Sequence, residues 1–383
     1  MLMVPPTPAT RKHICMIVPG FPASDDDWFT PAVTDTIMAM KLLHEVTVIT
    51  LSYPGLSAEY TVNGTTVLSL GRLRPVSLVR LLKRIYRLHR SKPLDLIHAF
   101  WATRPGVAGT LLSRIFRIPL VVTCAGGELV ERRDIGYGDW RAILSRGYVR
   151  TSFLFASRIV VGSEFQRRLV LVKFPRRAEE TLKIPLGIDT RIFVPPHKSD
   201  DDGTIRILHV ASLVPIKNQR LLLDALALLT DLDWHLDIVG DGLEKDHLKL
   251  TSDALGIASR IRWHGWVHHS SMPELYQQSD IFVLTSEHEA QGMVVLEAMA
   301  SGLPVVATAV GIAEELINTC VPTGDYMAFA EQIAHLAENR SIRLATGLLN
   351  RNKALRFDRS NLVQDLADLY GNVIGEKLQR EGR

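Results

Sequence analysis

Two carboxylates in one short stretch of this sequence have the type and spacing to perform chemistry together. Glu289 lies in an acidic loop, and Glu297 follows within an otherwise apolar, helix-like run. If a helix begins near Gly292, Glu297 lies about 7 to 8 Å along its axis. That distance is too long for two carboxyl groups that share a proton, but it suits two contacts to one elongated ligand. The plainer alternative is a solvated loop residue and a residue on a helix face.

The flanking segments predict a β-α-β unit that positions both carboxylates. Ile281 to Leu284 and Pro304 to Thr308 are apolar and β-branched, as in buried parallel strands. Between them, the predicted helix starts at the carboxyl end of a strand, where open α/β sheets bind ligands. The N–H groups of its first residues, Met293 and Val294, suit a phosphate. A nucleoside diphosphate sugar fits, with its ribose at Glu297, its diphosphate at the helix and its hexose at Glu289.

Glu289, seven intervening residues, Glu297 and the run Ala298 to Thr308 resemble the E-x7-E signature of retaining glycosyltransferases of family 4. The resemblance implies the α/β fold called GT-B, with two Rossmann-like doubly wound domains that face each other across a cleft. It also implies transfer of a hexose from a UDP- or GDP-sugar to a hydroxyl acceptor with retention of configuration. The acceptor is a glycan, a lipid-linked molecule or a small molecule. No metal or other cofactor is expected.

The same resemblance assigns a second donor-binding loop. Ser212 to Gln219 follows the predicted strand Ile205 to Ala211 and precedes a predicted helix. Family members present an Arg and a Lys to the donor diphosphate here. Lys217 matches the Lys, whereas Ser212 occupies the Arg position and can donate one hydrogen bond. Lys217 would neutralise the charge that develops on the leaving diphosphate, although an isolated loop Lys is usually only solvated.

Two acidic residues in the N-terminal half are candidates for the acceptor side. Asp27 lies in the loop after the first predicted strand, where family members usually carry a Gly-Gly pair, and could hold an acceptor hydroxyl or cap the next helix. Ala125 occupies a position where many members have a His. Glu128, nearby, could orient a hydroxyl or take its proton, or could cap a helix. His98 is expected to be a hydrogen-bonded structural residue.

Composition and charge narrow the class of protein. The 383 residues are 46% hydrophobic and 22% charged, which is ordinary for a globular protein with two domains. The start of the sequence lacks the apolar region of a signal peptide, and the three scattered cysteines favour a reducing compartment, so we expect a cytoplasmic protein. Up to Pro195 there are 27 Lys and Arg against 15 Asp and Glu, which suggests an anionic partner for this half.

The most basic segment, Arg72 to Lys92, has the pattern of an amphipathic helix. Such a helix could lie on the inner face of an anionic membrane as a peripheral contact. It also precedes a buried-strand pattern, so its apolar stripe is better placed to be core. We expect no nucleic-acid partner. The histidines at 264, 268, 269 and 288 lack metal-ligand spacing, and we expect polar loops there.

The predicted domain boundaries follow from composition. Residues 1–194 form an acceptor domain, the Pro-rich and acidic residues 195–203 form a linker, and residues 204–357 form the donor domain. Residues 358–383 form a helix that returns toward the N-terminal domain, with a frayed tail after Gly375. Two other functions remain open: a catalytically degenerate sugar-nucleotide-binding or scaffold protein, and another GT-B enzyme such as an epimerase or an inverting transferase.

Overall fold

The computed structural model describes residues 11–25, 27, 29–55, 57–71, 75–196, 203–318 and 320–382. These residues form two compact units. The first comprises Met1–Gly162, Gln166–Gly187 and Arg359–Arg383, and the second comprises Ser163–Phe165 and Ile188–Asp358. Residues 26 and 28 of the loop after the first strand, residues 72–74 of the predicted amphipathic segment and residues 197–202 of the predicted linker lie outside the described residues.

Within the described residues, the first unit contains eight strands in one sheet. Their bounds are β1 His13–Gly20, β2 Glu45–Tyr53, β3 Ser57–Val62, β4 Thr65–Leu70, β5 Leu96–Phe100, β6 Leu120–Cys124, β7 Arg158–Val161 and β8 Thr181–Lys183. The order in the sheet is β3-β4-β2-β1-β5-β6-β7-β8, and every pair is parallel except β3 with β4. Both faces are covered, which explains the uninterrupted apolar strands.

In the part of the chain that the structure describes, six α-helices belong with this sheet: α1 Pro31–Leu43, α2 Pro75–Ser91, α3 Arg104–Phe116, α4 Ile143–Phe155, α5 Glu164–Lys173 and α13 Arg359–Arg380. Side chains of α2, α3, α4 and α5 pack on one face of the sheet in a core that includes Cys15 and Ile17. Side chains of α1 and α13 pack on the other face with Ile14 and Met16. Successive residues of β1 therefore serve opposite cores, as expected for a strand with helices on both sides.

The second unit has a parallel five-stranded sheet in the order β11-β10-β9-β12-β13. Its strands are β9 Ile205–Val210, β10 Trp234–Val239, β11 Ile261–Gly265, β12 Ile281–Leu284 and β13 Val305–Ala307. Its helices are α6 Gln219–Ala227, α7 Lys245–Ala254, α8 Met272–Gln277, α9 Met293–Ala300, α10 Ala313–Leu316, α11 Tyr326–Glu338 and α12 Arg340–Ala354. Because β12, α9 and β13 follow one another directly, they form the predicted β-α-β unit.

The α/β prediction of two Rossmann-like domains is confirmed by these two parallel sheets. The chain passes from the first unit to the second at Gly187 and Ile188, earlier than the predicted boundary at 194. Ile188 belongs with the second unit because its N–H donates to the Phe357 carbonyl at 3.0 Å. The tail after Gly375, predicted to be frayed, is helical as far as Arg380. Its anchor is an ion pair between Arg158 and Glu376.

A buried polar chain attaches α13 to the first sheet. The ring nitrogens of His98 contact the Tyr370 hydroxyl at 2.5 Å and the Thr123 hydroxyl at 2.6 Å, and all three residues are buried. His98 is therefore the hydrogen-bonded structural residue that was predicted. Since both ring nitrogens have partners within the core, this contact links β5, β6 and α13.

Tyr370→Phe is expected to destabilise the first unit by about 1 to 3 kcal/mol, because it leaves a buried nitrogen of His98 without a partner. Urea denaturation monitored by circular dichroism measures the change. Tyr86→Phe is the matched control, since Tyr86 is half exposed on α2. Equal stability of the two variants would contradict the structural role of the His98 contact.

Candidate functional site

An ion pair between two loops of the second sheet is the centre of the candidate site. Lys217 ends the loop after β9, and its Nζ contacts Glu289 Oε1 in the loop after β12. The side chains are 21% and 13% exposed, respectively. Both loops leave the carboxyl ends of adjacent strands, so the sheet brings together two residues that are 72 positions apart. The structure thus pairs two of the predicted site residues.

The environment of Glu289 favours its charged form. Burial alone would raise its pKa, but the Lys217 ammonium and the Ser286 hydroxyl, which donates at 2.7 Å, lower the pKa of Glu289 below its ordinary value. Glu289 is therefore a carboxylate at neutral pH and can accept hydrogen bonds from ligand hydroxyls.

Hydrogen bonds fix the two loops to each other. Thr285 Oγ1 donates to the Lys217 carbonyl at 2.9 Å, and the Glu287 N–H donates to the Ile216 carbonyl at 2.9 Å. Asn218 Nδ2 donates to Glu287 Oε1 at 3.1 Å. These bonds hold Lys217 and Glu289 on a rigid support, as a binding site for a charged group requires.

A glycine outside the predicted signature makes room for Glu289. Gly311, after β13, has φ of +57°, and a Cβ there would lie 2.8 Å from Glu289 Cβ and 2.4 Å from the Gln291 carbonyl oxygen. Any side chain at this position would displace the loop that carries Glu289. The sequence reasoning missed Gly311, although it follows a buried strand at the ligand edge of the sheet.

Ser212, at the predicted Arg position, is exposed at the start of the same loop. Its carbonyl accepts from Gln219 Nε2 at 3.0 Å, which ties the loop to the first turn of α6. The loop is also held from the side, because Gly240 packs against it so closely that a Cβ would lie 1.9 Å from the Ala211 carbonyl oxygen. The turn at Gly240 to Gly242 thus supports the Ser212 loop.

Glu297 lies on α9 with two partners that the sequence reasoning did not assign. The Tyr276 hydroxyl donates to Oε2 at 2.8 Å, and His269 Nε2 lies 3.3 Å from Oε1. Glu297 is 7% exposed and Tyr276 is fully buried. These contacts explain how an acidic residue is tolerated among apolar neighbours. Burial, followed by the charge of Glu297, raises the pKa of Tyr276, so the tyrosine remains a donor.

The start of α9 has the predicted geometry. Gly292 is its N-cap with φ of +92°, and Met293 is its first helical residue. The N–H groups of Met293 and Val294 have no carbonyl one turn earlier within the helix to receive them. The positive end of the α9 dipole therefore faces the loop that carries Glu289.

In the first unit, the Asp27 carboxylate accepts two hydrogen bonds from nearby residues. The Ala23 N–H donates to Asp27 Oδ2 at 2.7 Å, and the Tyr53 hydroxyl donates to the same oxygen at 2.8 Å. These bonds tie the loop after β1 to the end of β2. They give Asp27 a structural role, and its contact with an acceptor stays a prediction.

Glu128 is fully buried and clamps two loops at the carboxyl edge of the first sheet. It accepts backbone N–H bonds from Ala102 at 3.3 Å, Ala125 at 3.0 Å and Gly126 at 2.7 Å. Burial raises the pKa of Glu128 despite these backbone bonds. Three donors and no exposure are typical of a structural clamp rather than a general base, and its role toward an acceptor stays a prediction.

The structure of the basic helix α2 shows where the apolar side chains of this predicted amphipathic segment lie. Leu81 and Ile85 are buried in the first unit's core, whereas Arg80, Arg87 and Arg90 are exposed. The described part of the apolar stripe is therefore core, as its position favoured. Among the described residues, no helix is long and apolar enough to cross a membrane, and no group of three His, Cys, Asp or Glu side chains could hold a metal ion.

Two buried histidines predict acid sensitivity. Burial lowers the pKa of His98 to about 3 and that of His209, next to the Lys217 loop, to about 4. Unfolded histidine titrates near 6.5, so the unfolded chain binds more protons as pH falls. The contribution of these two histidines to the free energy of unfolding should be complete above pH 6.5 and should decline progressively toward pH 4.

The contribution of His209 can be isolated. Its Nδ1 lies 3.0 Å from the Val283 carbonyl oxygen, a bond that the amide of His209→Asn can retain. Urea midpoints between pH 7 and pH 4.5 should fall less steeply for His209→Asn than for the wild type. Exposed His247→Asn is the control and should match the wild type. An unchanged slope for His209→Asn would contradict the assigned titration.

Two family models match the chain. The model described as glycosyl transferases group 1 matches residues 193–352, and the model described as a glycosyl transferase 4-like domain matches residues 31–187. A D-inositol 3-phosphate glycosyltransferase from Salinispora tropica is 27% identical over 321 residues, which cover 75% of this chain and 65% of the relative. The chain thus spans less than two thirds of that relative's length.

Solved structures share the fold. Sucrose-phosphate synthase from Thermosynechococcus elongatus superposes with a TM-score of 0.80 at 19% identity, covering 96% of this chain and all of that one. Anabaena HepE in complex with UDP superposes with a TM-score of 0.74 at 21% identity, covering 94% of this chain and all of that one. The chain therefore has two Rossmann-like units of the kind found in GT-B proteins.

Proposed function

We propose that this chain, which has the GT-B fold and matches a glycosyl transferase family model in each unit, is a glycosyltransferase of the GT4 type that moves a hexose from a nucleoside diphosphate sugar to a hydroxyl acceptor with retention of configuration. The observation that carries this proposal is the partly buried Lys217 and Glu289 pair at the carboxyl edge of the second sheet. It places a cation and a hydroxyl-binding carboxylate where α/β sheets hold ligands.

Each predicted donor residue has a role that matches its position. Glu289 accepts hydrogen bonds from hexose hydroxyls, and Glu297, oriented by Tyr276, binds the ribose hydroxyls. The N–H groups of Met293 and Val294, exposed by the turn at Gly292, bind the diphosphate. Ser212 adds one neutral hydrogen bond to the diphosphate.

In the transfer step, the bond from the anomeric carbon to the diphosphate oxygen breaks on one face of the sugar. The acceptor oxygen forms its bond to the same carbon on the same face, and its proton passes to the departing diphosphate. Lys217 and the α9 dipole stabilise the negative charge that accumulates on the leaving group. Because these groups supply the positive charge, we propose that the transfer needs no metal ion.

The basic first unit is the proposed acceptor side. An excess of Lys and Arg there favours an anionic acceptor, such as a phosphorylated polyol or a lipid-linked phosphate. The name of the Salinispora relative specifies an inositol phosphate. D-inositol 3-phosphate therefore belongs in the acceptor panel, together with neutral inositol as the matched control.

The test combines donor and acceptor. Purified protein is incubated with UDP-glucose, UDP-N-acetylglucosamine or GDP-mannose and each acceptor, and the released nucleoside diphosphate is quantified. NMR of the glycoside then gives the anomeric configuration. We expect turnover with one donor and an α-linked product from an α-linked donor. An inverted product would contradict retention, and epimerised donor without transfer would favour the epimerase alternative.

The alternative function, a catalytically degenerate sugar-nucleotide-binding or scaffold protein, makes a different prediction. A scaffold protein would bind a nucleotide and release no diphosphate with any acceptor. The absence of the Arg at Ser212 favours this alternative, whereas the intact Lys217, Glu289 and Glu297 geometry favours an enzyme. Slow donor hydrolysis in the absence of acceptor, lost in Lys217→Met, would distinguish them.

A further inference from the structure

Three residues between β7 and the body of α5 belong with the second unit, although Gly162 before them and Gln166 after them belong with the first. We call these residues, Ser163–Phe165, the crossing segment. Each of them contacts either the loop that follows β12 or the short helix α10. The loop after β12 carries Glu289, the residue predicted to contact the donor hexose. The contacts of the crossing segment therefore bear on the geometry of the donor site.

Ser163 holds the backbone immediately after Glu289. Ser163 is fully buried, and its Oγ donates to the Ala290 carbonyl at 2.6 Å, across 127 positions of sequence. The next carbonyl along the loop, that of Gln291, accepts from the Ile312 N–H at 2.7 Å. Since a buried carbonyl that loses its donor is costly, both bonds restrict the loop to one conformation. Ser163 supplies the restraint nearer to the carboxylate.

Phe165 contacts the residue immediately before Glu289. The ring centres of Phe165 and His288 are 5.7 Å apart and their planes meet at 79°, which is the edge-to-face arrangement that aromatic pairs prefer. His288 is buried, and burial lowers the pKa of its ring to about 4. The ring is therefore uncharged at neutral pH and does not compete with Lys217 for the carboxylate. The crossing segment thus contacts the residues on both sides of Glu289.

Glu164 attaches the crossing segment to a different part of the second unit. Its N–H, the first of α5, donates to Glu315 Oε1 at 2.5 Å. A carboxylate at this position satisfies a helix N–H that has no partner within the helix, and it faces the positive end of the helix dipole. Glu315 lies on α10, four residues after Gly311, which packs against Glu289. The crossing segment is therefore anchored independently of the loop that it contacts.

We propose that Ser163 and Phe165 are positioning residues, which hold Glu289 in the orientation that binds the hexose of the donor. The bonds of Thr285 and Glu287 fix the loop on the side of the β9 loop, and the crossing segment fixes it beside the carboxylate itself. A carboxylate that recognises particular hydroxyl groups requires such support, because a small displacement weakens each hydrogen bond. This inference rests on the proposed function, which assigns the hexose to Glu289.

Isothermal titration calorimetry of the full chain tests the proposal without an acceptor. The ligands are UDP, UDP-glucose, GDP and GDP-mannose. For the base that the wild type binds, Ser163→Ala should raise the Kd of the sugar nucleotide about 2- to 10-fold, the effect of one hydrogen bond. The Kd of the nucleoside diphosphate alone should stay unchanged, because Glu297 and the start of α9 are unaltered. A general loss of stability would instead weaken both ligands equally.

Matched variants separate positioning from the loss of any buried bond. Ser152→Ala removes the hydroxyl of another fully buried serine, whose Oγ donates to the Tyr148 carbonyl at 2.8 Å within α4. It should leave the ratio of the two Kd values as in the wild type. Phe165→Leu removes the ring that contacts His288 and should change the ratio in the same direction as Ser163→Ala. Phe165→Tyr retains the ring and should restore the wild-type ratio.

Hydrogen exchange of the ligand-free protein gives a second readout. Amides of residues 286–291 should exchange faster in Ser163→Ala than in Ser152→Ala, because the loop opens more often. Wild-type binding of a sugar nucleotide with an unchanged ratio in Ser163→Ala would overturn the positioning role alone, as would equal exchange in the two serine variants. A wild type that binds none of the four ligands would contradict the donor site, and the positioning role would fail with it.

Discussion

Replacing Lys217 by methionine is expected to lower kcat for sugar transfer by about 100- to 1,000-fold, the usual effect of removing one fixed group that stabilises developing charge. In the structure its ammonium contacts Glu289 and is held by a loop bonded to Thr285 and Glu287. In the proposed mechanism it neutralises the leaving diphosphate. Steady-state release of nucleoside diphosphate measures the change.

Two further variants separate the loss of the Lys217 charge from the loss of its ion pair with Glu289. Lys217→Arg retains a cation and should recover part of the activity. Lys217→Met, Glu289→Gln removes both charges, so that no partly buried carboxylate is left without a cation beside it. If the double variant is stable and Lys217→Met remains as active as the wild type, the role of Lys217 at the diphosphate is wrong.

Glu297→Ala is expected to raise the Kd for the nucleotide by about 10- to 100-fold, as losing a hydrogen bond to a charged group does. The carboxylate is 7% exposed and oriented by Tyr276. Isothermal titration calorimetry with the nucleotide alone measures this effect without any acceptor. An unchanged Kd would remove the ribose assignment.

Removing Glu297 also leaves the buried Tyr276 hydroxyl with the Val294 carbonyl oxygen at 3.5 Å as its acceptor. Glu297→Gln is therefore the second variant, because it retains the size of the side chain and the closer acceptor for the tyrosine. It should bind nucleotide more weakly than the wild type and unfold at nearly the same urea concentration. Glu274→Ala, an exposed acidic position on α8, is the matched control and should leave the Kd unchanged.

The sequence predicts the β-α-β unit around Glu289 because its local signals agree. Each local signal favours the observed element: the β-branched runs favour the strands, and the compact apolar run with a glycine after it favours the helix. Helix α9 runs from Met293 to Ala300, within the predicted helix. The resemblance assigned Lys217 and Glu289 to one donor site, but their contact with each other was not predicted, because it joins positions 72 residues apart. Local patterns carry no information about which loops meet.

Other features depend on tertiary contacts that no short pattern specifies. Tyr276 and His269 contact Glu297 because α8 and the turn before it pack near α9. Glu128 could be interpreted as a base or a cap from its neighbours, whereas its three backbone donors come from two separate loops. The antiparallel hairpin of β3 and β4 was missed as well.

The most direct test of the central claim, that the second unit binds a nucleotide-sugar donor, is the thermal stability of the wild type and Glu297→Ala with UDP, GDP, ADP and their common sugars. At about 100 times its Kd, a ligand should add roughly 2.7 kcal/mol to the folded state. We predict stabilisation of the wild type by the nucleotides of one base, and a much smaller shift for Glu297→Ala at the same concentration. No shift with any nucleotide would contradict the donor site.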